Sequence, residues 1–269
     1  MRSEERQQYI LKTAQENGFI SIPKTAETLG VSVETIRRDV NFLSKKRLLK
    51  KVHGGASPIK APIWKDEPYF TRFHRNQQGK MAIAAEAVKM IHNGNIVSFD
   101  GGATTAVLVS LIQNVNNVTF VVNSLPIATT LVDKVTAGEI SGTIIMTGGQ
   151  INSPGYRTYF PMALDTIDKY RYNIVFVSCT ALNAGGAFSN ATNPGVFSQH
   201  LMRHASSCVL LVDSEKLGKT SVFEFAQLTE FDRIITDDIH PCPPDIIQAL
   251  EGTDTELTIV SCKHQHRDD

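Results

Sequence analysis

Two kinds of hydrophobic pattern divide the chain. In the first 57 residues, apolar side chains recur at spacings of three and four, which is typical of amphipathic helices. From about residue 75 onward, short apolar runs typical of buried strands alternate with helical segments. The pattern predicts a small N-terminal helical domain, followed by a Rossmann-like α/β domain with a mostly parallel sheet and helices on both faces.

Three short helices are predicted in the N-terminal segment, the first of them beginning at Ser3. Ser21 caps the second and Gly30 ends it, and Ser32 caps the third. A short helix, a turn with glycine and a second helix fit the helix-turn-helix pattern. The inward-facing stripe of the third helix consists of Ile36, Val40 and Leu43.

Polar and cationic side chains occupy the other faces of this third helix. A short polar residue and two guanidinium groups near a helix start suit phosphate oxygens and the N7/O6 edge of guanine. The residues are Ser32, Thr35, Arg37, Arg38 and Asn41. An ordinary surface helix with solvated charges is the alternative, and the segment that follows favours DNA binding.

A basic segment follows the third helix. Leucine and β-branched residues mixed with cations, and closed by Gly54-Gly55, predict a small hairpin, which would be the wing of a winged helix. Its cations could straddle a phosphate backbone, and a solubilising linker is the alternative. The cationic and histidine side chains are Lys45, Lys46, Arg47, Lys50, Lys51 and His53.

The charge distribution supports a nucleic-acid partner at one end only. The 269-residue chain has no net charge, but residues 1–60 contain twelve Lys and Arg against six Asp and Glu, a balance of +6. The remaining residues contain fifteen and twenty-one, a balance of −6. A basic N-terminal domain joined to an acidic body is expected when only one end meets a polyanion.

Cysteine usage and hydropathy predict a reduced, cytoplasmic protein. The four cysteines, at 179, 208, 242 and 262, lack metal-ligand spacing, so no metal or cofactor is predicted. No apolar run approaches the roughly 18 residues of a membrane span, and the chain opens without the apolar core of a signal peptide. We therefore expect no membrane partner.

The N-terminal motif resembles a known family. The pattern Ser32-x-x-Thr35-Ile36-Arg37-Arg38-Asp39-Val40, then Leu43 and a basic wing ending His53-Gly54-Gly55-Ala56, resembles the signature of the DeoR family of bacterial transcriptional regulators. The resemblance implies a winged helix-turn-helix domain over residues 1–57 that places Arg37 and Arg38 on the recognition helix. Three prolines within eleven residues then predict a semi-stiff linker over residues 58–74.

Small polar residues and glycines follow several predicted strands of the body. Ligands in such sheets bind beyond the carboxyl ends of the strands, where backbone N–H groups and hydroxyls can cradle a phosphate-sized anion. Lys216 could add a point charge. The loops are Asp100-Gly101-Gly102-Ala103-Thr104-Thr105, Asn123-Ser124, Gly148-Gly149, Asn183-Ala184-Gly185-Gly186 and Asp213-Ser214-Glu215-Lys216.

The family resemblance continues through the body, residues 75–262, and stops before a tail at 263–269. The sensor domain of the family is similar in fold to ribose-5-phosphate isomerase and typically binds a phosphorylated sugar, which implies such an effector at the Asp100, Asn123, Gly148 and Lys216 loops. This chain departs from the family pattern where Ala103 and Val122 replace threonines and Gln199 replaces a lysine. A ligand outside the family's usual sugars is therefore an alternative.

Catalysis is not expected. Isomerising a sugar phosphate needs an acid and a base, commonly a carboxylate pair, and no Asp or Glu lies between Lys169 and Asp213. We predict a DNA-binding transcriptional regulator, a repressor of a carbohydrate-utilisation operon controlled by a phosphorylated sugar or polyol. One winged helix makes a small interface, so a homo-oligomer, dimer or tetramer, is expected on operator DNA. The alternatives are an isomerase and a body that only oligomerises.

Overall fold

The computed structural model describes residues 3–17, 19–45, 49–52, 54–58, 67–159 and 161–262. The chain divides into two compact units, Met1–Pro62 and Ile63–Asp269. Each has its own hydrophobic core, and the second unit has two, one on each face of its main sheet.

The first unit is a winged helix-turn-helix. Ser21 accepts a hydrogen bond from the Lys24 N–H, and Gly30 ends the second helix at φ +62°, a left-handed conformation that favours glycine. The three strands form an antiparallel sheet in the order β1-β3-β2. The elements are α1 (Ser3–Asn17), β1 (Ile20–Ser21), α2 (Ile22–Leu29), α3 (Val33–Lys45), β2 (Leu49–Val52) and β3 (Gly55–Pro58).

The second unit is α/β. Its helices are α4 (Tyr69–His74), α5 (Gln77–Ala87), α6 (Ala103–Leu111), α7 (Leu125–Thr136), α8 (Met162–Ile167), α9 (Thr192–Arg203) and α10 (Pro244–Leu250), with 3-10 turns at Val88–Met90, Ser214–Lys216 and Leu228–Glu230. Its strands are β4 (Ile96–Phe99), β5 (Val118–Val122), β6 (Gly142–Met146), β7 (Gln150–Asn152), β8 (Arg157–Tyr159), β9 (Ile174–Ser178), β10 (Ala181–Asn183), β11 (Gly186–Ser189), β12 (Cys208–Leu211), β13 (Phe223–Ala226), β14 (Arg233–Asp237) and β15 (Glu256–Val260).

Seven parallel strands form the main sheet, in the order β15-β14-β12-β9-β4-β5-β6. Successive residues of a strand face opposite cores, as the two-residue period of a strand requires. In β9, Phe176 packs in the core under α5–α7, and Val175 and Val177 pack in the core under α8–α10. The predicted parallel sheet with helices on both faces is confirmed.

The strand order reverses between β4 and β9. From β4 the chain builds outward through β5 to β6, and from β9 it builds the other way through β12 and β14 to β15. Ligands in open α/β sheets bind at such a switch point, outside the carboxyl ends of the strands. The loops after β4 and β9 are therefore the expected place for a ligand.

Two features differ from the loops and linker expected from sequence. The predicted ligand loop Asn183-Ala184-Gly185-Gly186 is instead the tight turn between β10 and β11, which form a separate antiparallel sheet with β13. Helix α4 lies inside the segment predicted as linker, and its Tyr69 is buried in the core of the second unit. Neither the β10–β11 turn nor helix α4 is marked by a strong local sequence pattern.

Candidate functional site

Helix α3 presents its predicted DNA-binding cations on the surface of the first unit. The Ser32 hydroxyl oxygen accepts the Thr35 N–H at 3.1 Å, so Ser32 caps the helix as predicted. Arg37 and Arg38 are exposed, and each lies close to the carboxylate of Glu34, at 2.8 and 3.8 Å. Exposed pairs of this kind stabilise a protein by only about 0–1 kcal/mol, so a phosphate or a base edge can compete for both guanidinium groups.

A side-chain hydrogen bond links the wing, strands β2 and β3, to α3. Lys51, on β2, donates a hydrogen bond of 2.9 Å from Nζ to the side-chain oxygen of Asn41. Lys50 is also exposed on β2. The side chain of Lys45 and all of His53 lie outside the described residues, so their predicted contacts stay predictions.

Asp39 anchors the helix rather than facing a ligand. It is buried, pairs with Arg6 of α1, and accepts a further hydrogen bond of 3.1 Å from Gln7. The hydrogen bond that Arg6 donates to the Asp39 carboxylate raises the pKa of Arg6. The Asp39 carboxylate therefore fixes α3 against α1.

In the second unit, the Asp100 carboxylate bridges the switch point between β4 and β9. One oxygen accepts the Gly102 N–H at 3.0 Å, and the other accepts the Ser178 N–H at 2.7 Å. The Ser178 hydroxyl adds contacts of 3.0 and 3.2 Å, and Thr105 donates a hydrogen bond to the Asp100 carboxylate at 3.2 Å. Both oxygens are thus occupied inside the protein, and Asp100 holds the loops in place.

The Gly101-Gly102 turn has no room for side chains. A Cβ added to Gly102 would lie 2.1 Å from the Ser178 hydroxyl oxygen. A Cβ added to Gly101 would lie 2.5 Å from the Arg157 Cδ atom and 3.3 Å from the Asn123 side-chain oxygen. The turn is therefore packed between the end of β9, the loop after β5 and the strand β8.

Three buried polar atoms beyond β4 and β5 have no hydrogen-bond partner within the described parts of the chain. They are Thr104 Oγ1, Asn123 Oδ1 and Ser124 Oγ. Thr104 lies in the first turn of α6, and Ser124 is the N-cap position of α7 without capping its N–H groups. An unsatisfied buried polar group costs about 1–3 kcal/mol, and most are paired in native proteins. These atoms are therefore candidates to bind a ligand.

Gly148 and Gly149 connect β6 to the β7–β8 hairpin. Gly149 has φ +115°, and a Cβ there would lie 2.3 Å from the Tyr159 carbonyl oxygen. Glycine at 149 is thus needed for the turn itself. Thr147 and Thr158, whose hydroxyls lie 3.0 Å apart, join the hairpin to the end of β6.

Lys216 is paired inside the protein. Its Nζ lies 3.0 Å from a carboxylate oxygen of the buried Asp213. Burial acts to raise the pKa of Asp213, but the charge and hydrogen bond of Lys216 and the charge of Lys80 together outweigh it, so the pKa of Asp213 lies below its usual range. Nearby, burial lowers the pKa of Lys80 to about 8, and its ammonium donates to the carbonyl oxygens of Arg72 and Arg75.

Two residues of this region were not identified from sequence. Arg157 begins β8, is buried, and donates from Nη1 to the Gly101 carbonyl oxygen at 3.4 Å. Ser178 ends β9 and binds Asp100. The turn-forming run Asn152-Ser153-Pro154-Gly155 could have predicted the hairpin, but no local pattern places Arg157 beside a turn 56 residues earlier.

Comparison with known proteins identifies both units. A family model described as a DeoR-like helix-turn-helix domain matches residues 6–61, and one described as the DeoR C terminal sensor domain matches residues 75–238. A DNA-binding domain followed by a sensor domain defines a transcriptional regulator. The chain belongs to the DeoR family of transcriptional regulators, and the predicted DNA-binding regulator is confirmed.

The similar curated proteins are regulators too. The HTH-type transcriptional regulator GlpR of Haloferax volcanii is 29% identical over 234 residues, which cover 87% of this chain and 89% of that protein. UlaR of Escherichia coli, also named an HTH-type transcriptional regulator, is 31% identical over 254 residues, 94% of this chain and 97% of that protein. These names agree with the prediction that the chain is not an enzyme.

Solved structures show partial likeness. Ribose 5-phosphate isomerase A from Methanocaldococcus jannaschii matches with a TM-score of 0.37 and 16% identity, over 53% of this chain and 55% of that one. The eIF2B delta subunit from Chaetomium thermophilum matches with a TM-score of 0.43 and 11% identity, over 61% of this chain and 57% of that chain. Within the described residues, no helix has the length and apolar character needed to cross a membrane.

Proposed function

We propose that this regulator represses a carbohydrate-utilisation operon and that a phosphorylated sugar or polyol controls its affinity for operator DNA. The observation that carries the proposal is the set of three buried polar atoms without partners, Thr104 Oγ1, Asn123 Oδ1 and Ser124 Oγ, beyond the ends of β4 and β5. The residues proposed to bind or position the effector are Asp100, Gly101, Gly102, Ala103, Thr104, Thr105, Asn123, Ser124, Gly148, Gly149 and Lys216.

The chemistry of these groups suits a hydroxylated anion. Two hydroxyls can donate to phosphate oxygens, and the Asn123 side-chain oxygen can accept from a sugar hydroxyl. The starts of α6 and α7 add backbone N–H groups and positive partial charge, which favour a negative ligand. Asp100 has the positioning role, because its oxygens already bind Gly102 and Ser178.

On the DNA side, the proposed contacts come from α3 and the wing. They are Ser32, Thr35, Arg37, Arg38, Asn41, Lys45, Lys50, Lys51 and His53. The DNA-binding domain lies in the first unit, and the sensor is the second unit, whose core includes Tyr69 of α4. The protein works in the cytoplasm as a dimer or tetramer on repeated half-sites. Binding of the effector shifts the population between states of different operator affinity, by no more than its differential affinity for them.

The first test is fluorescence anisotropy of the full chain on DNA from immediately upstream of its own gene and the adjoining operon. At fixed salt, each of a panel of sugar and polyol phosphates is added. We expect sequence-selective binding that one or more compounds weaken at least tenfold. Selective DNA binding that no compound changes would reject the sensor assignment and keep the regulator.

Substitutions at Thr104 and Ser124 test where the effector binds. Thr104→Val and Ser124→Ala remove the two unpartnered hydroxyls, so we expect each to weaken the effector response at least fivefold without changing DNA affinity in its absence. Thr129→Val, the same change on the exposed face of α7, is the matched control. A response that survives in both site variants would place the effector elsewhere. Sedimentation at equilibrium tests the oligomer, and a monomer at micromolar concentration would contradict it.

A further inference from the structure

A buried arginine lies beside the proposed effector site. Only 6% of Arg157 is exposed, and its guanidinium lies 5.5 Å from the centre of the Tyr159 ring. The Arg157 side chain crosses the Gly101-Gly102 turn, as its 3.4 Å hydrogen bond to the Gly101 carbonyl oxygen shows. A full positive charge therefore lies at the turn that precedes α6.

The same residue also borders the start of α7. The backbones of Arg157 and Ser124 form an antiparallel bridge, and Ser124 is the N-cap residue of α7. The Asn123 side-chain oxygen and the Arg157 Cδ both lie within 3.3 Å of the position that a Gly101 Cβ would take. Arg157 thus lies where the starts of two helices meet.

Three positive features therefore converge at one place. The starts of α6 and α7 each carry partial positive charge, and the guanidinium adds a full charge at a site with little access to water. The Asp100 carboxylate lies at the same turn, and its oxygens accept from Gly102 and Ser178. An anion bound between the two helix starts and the guanidinium would gain from all three positive features, and the two unpartnered hydroxyls, Thr104 and Ser124, could complete its coordination.

The guanidinium also has the right geometry. Its planar fork matches the two oxygens of a phosphate or a carboxylate, which an ammonium group cannot do. The ammonium of Lys216, a point charge without such a fork, lies 3.0 Å from the Asp213 carboxylate.

We infer that Arg157 binds the anionic group of the effector, a phosphate or a carboxylate, at the starts of α6 and α7. The inference rests on the proposed function and refines it, because it places the anion beside β4 and β5 instead of at Lys216. The effector is then a hydroxylated molecule with one acidic end at Arg157 and at least one hydroxyl at the Asn123 oxygen.

The test uses matched trios of ligands: ribose 5-phosphate, ribonate and ribose; glucose 6-phosphate, gluconate and glucose; glycerol 3-phosphate, glycerate and glycerol. Each trio contains a phosphate, a carboxylate and a neutral compound. Calorimetric titration of the full chain gives the affinity of each compound. The acidic member that binds more tightly, the phosphate or the carboxylate, identifies the anion. We expect Arg157→Gln to weaken the acidic member at least tenfold and to remove its advantage over the neutral member. Arg157→Lys, which keeps the charge but loses the fork, should fall between wild type and Arg157→Gln.

Two further variants make the result specific. Arg171→Gln, the same change on an exposed residue before β9, should leave every affinity within twofold of wild type. Lys216→Gln should weaken the acidic member less than Arg157→Gln does. If Arg157→Gln folds poorly, the Arg157→Lys titration decides, and an unchanged acidic affinity in that variant counts against the inference.

The outcomes separate the inference from the proposed function. Wild type that binds an acidic member, with a greater loss in Lys216→Gln than in Arg157→Gln, would overturn the inference and leave the sensor role intact. Wild type that binds none of the nine compounds at 10 mM would overturn both.

Discussion

The backbone N–H of Tyr69 donates a hydrogen bond of 2.9 Å to the carbonyl oxygen of Pro154. Tyr69 begins α4, the first described helix after residues 59–66, and Pro154 lies in the turn of the β7–β8 hairpin that carries Arg157. The Tyr156 ring adds contacts with Tyr69 and Phe70, at 6.1 and 5.2 Å between ring centres. A change at the proposed effector site would therefore have a direct packed route to α4.

This route predicts that Tyr156 matters for response more than for binding. Tyr156→Ala removes the ring but leaves Arg157 and Thr104 unchanged, so effector affinity should stay within threefold. The factor by which effector changes DNA affinity should fall at least fivefold, as anisotropy with and without effector would measure. Val132→Ala, at an exposed position of α7, is the control.

A second substitution separates ring packing from backbone strain. Tyr156 has φ +52°, a left-handed conformation that costs a non-glycine residue about 1 kcal/mol. Tyr156→Gly removes the same ring and also this strain. An uncoupled response in both variants would assign the effect to the ring, whereas a normal response in Tyr156→Ala would argue against the route.

The DNA-binding surface gives a prediction about specificity. Arg37→Ala should cost roughly 1–3 kcal/mol and blur sequence preference, if its guanidinium reads a base edge. Lys51→Ala should weaken specific and scrambled DNA alike and flatten the salt dependence, since a phosphate contact carries no sequence information. Anisotropy on both DNAs at several salt concentrations measures each effect, and equal, sequence-independent losses would refute the division of roles.

Lys80 predicts how stability depends on pH. Burial lowers the pKa of Lys80 to about 8, below its ordinary value of 10.5. Between these values the unfolded chain binds more protons than the folded one, so raising the pH stabilises the fold, by an amount on the order of 3 kcal/mol. Urea unfolding from pH 7.5 to 10 should therefore show wild type gaining stability relative to Lys80→Met.

The matched control is Lys89→Met, because the Lys89 ammonium is exposed and pairs with Glu86 at the surface. This variant should keep the wild-type dependence on pH. A constant difference between wild type and Lys80→Met across the range would show that Lys80 titrates normally.

The cysteines should differ in reactivity. Burial raises the pKa of both Cys179 and Cys208 to about 12, and each side chain has little access to solvent. Alkylation by iodoacetamide at pH 8 needs an accessible thiolate, so Cys242 and Cys262, which are half-buried, should react at least tenfold faster. Peptide mass spectrometry measures the rates, with urea-unfolded protein as the reference. Comparable labelling of Cys179 in the folded protein would contradict the prediction.

Much of the fold follows from local sequence. Ser21, Gly30 and Ser32 act as the caps that their positions predict, because capping depends on a few neighbouring residues. The apolar runs of β5 and β9 are long enough to be recognised as strands. In contrast, β7 and β8 have three residues each, too few for any period to be detected.

The candidate site was only partly predictable, for a physical reason. The Asp100 and Asn123 loops follow recognisable strands, so their place at the sheet edge could be inferred. Their roles depend on partners far along the chain, such as Ser178, 78 residues from Asp100. The sequence pattern predicts Asp100 in the effector site, but both of its carboxylate oxygens accept hydrogen bonds within the protein, so its proposed role is to position the loops.

The Asp100–Ser178 bridge holds the base of the proposed site, while Arg157 and Tyr156 belong to a hairpin outside the main sheet. Arg157 therefore belongs to an element separate from the seven strands of the main sheet. If Arg157 chooses the ligand, substitutions in the β7–β8 hairpin would change the effector while those seven strands keep their sequence. The same short segment is the place to begin when redesigning this protein as a sensor for a different acid.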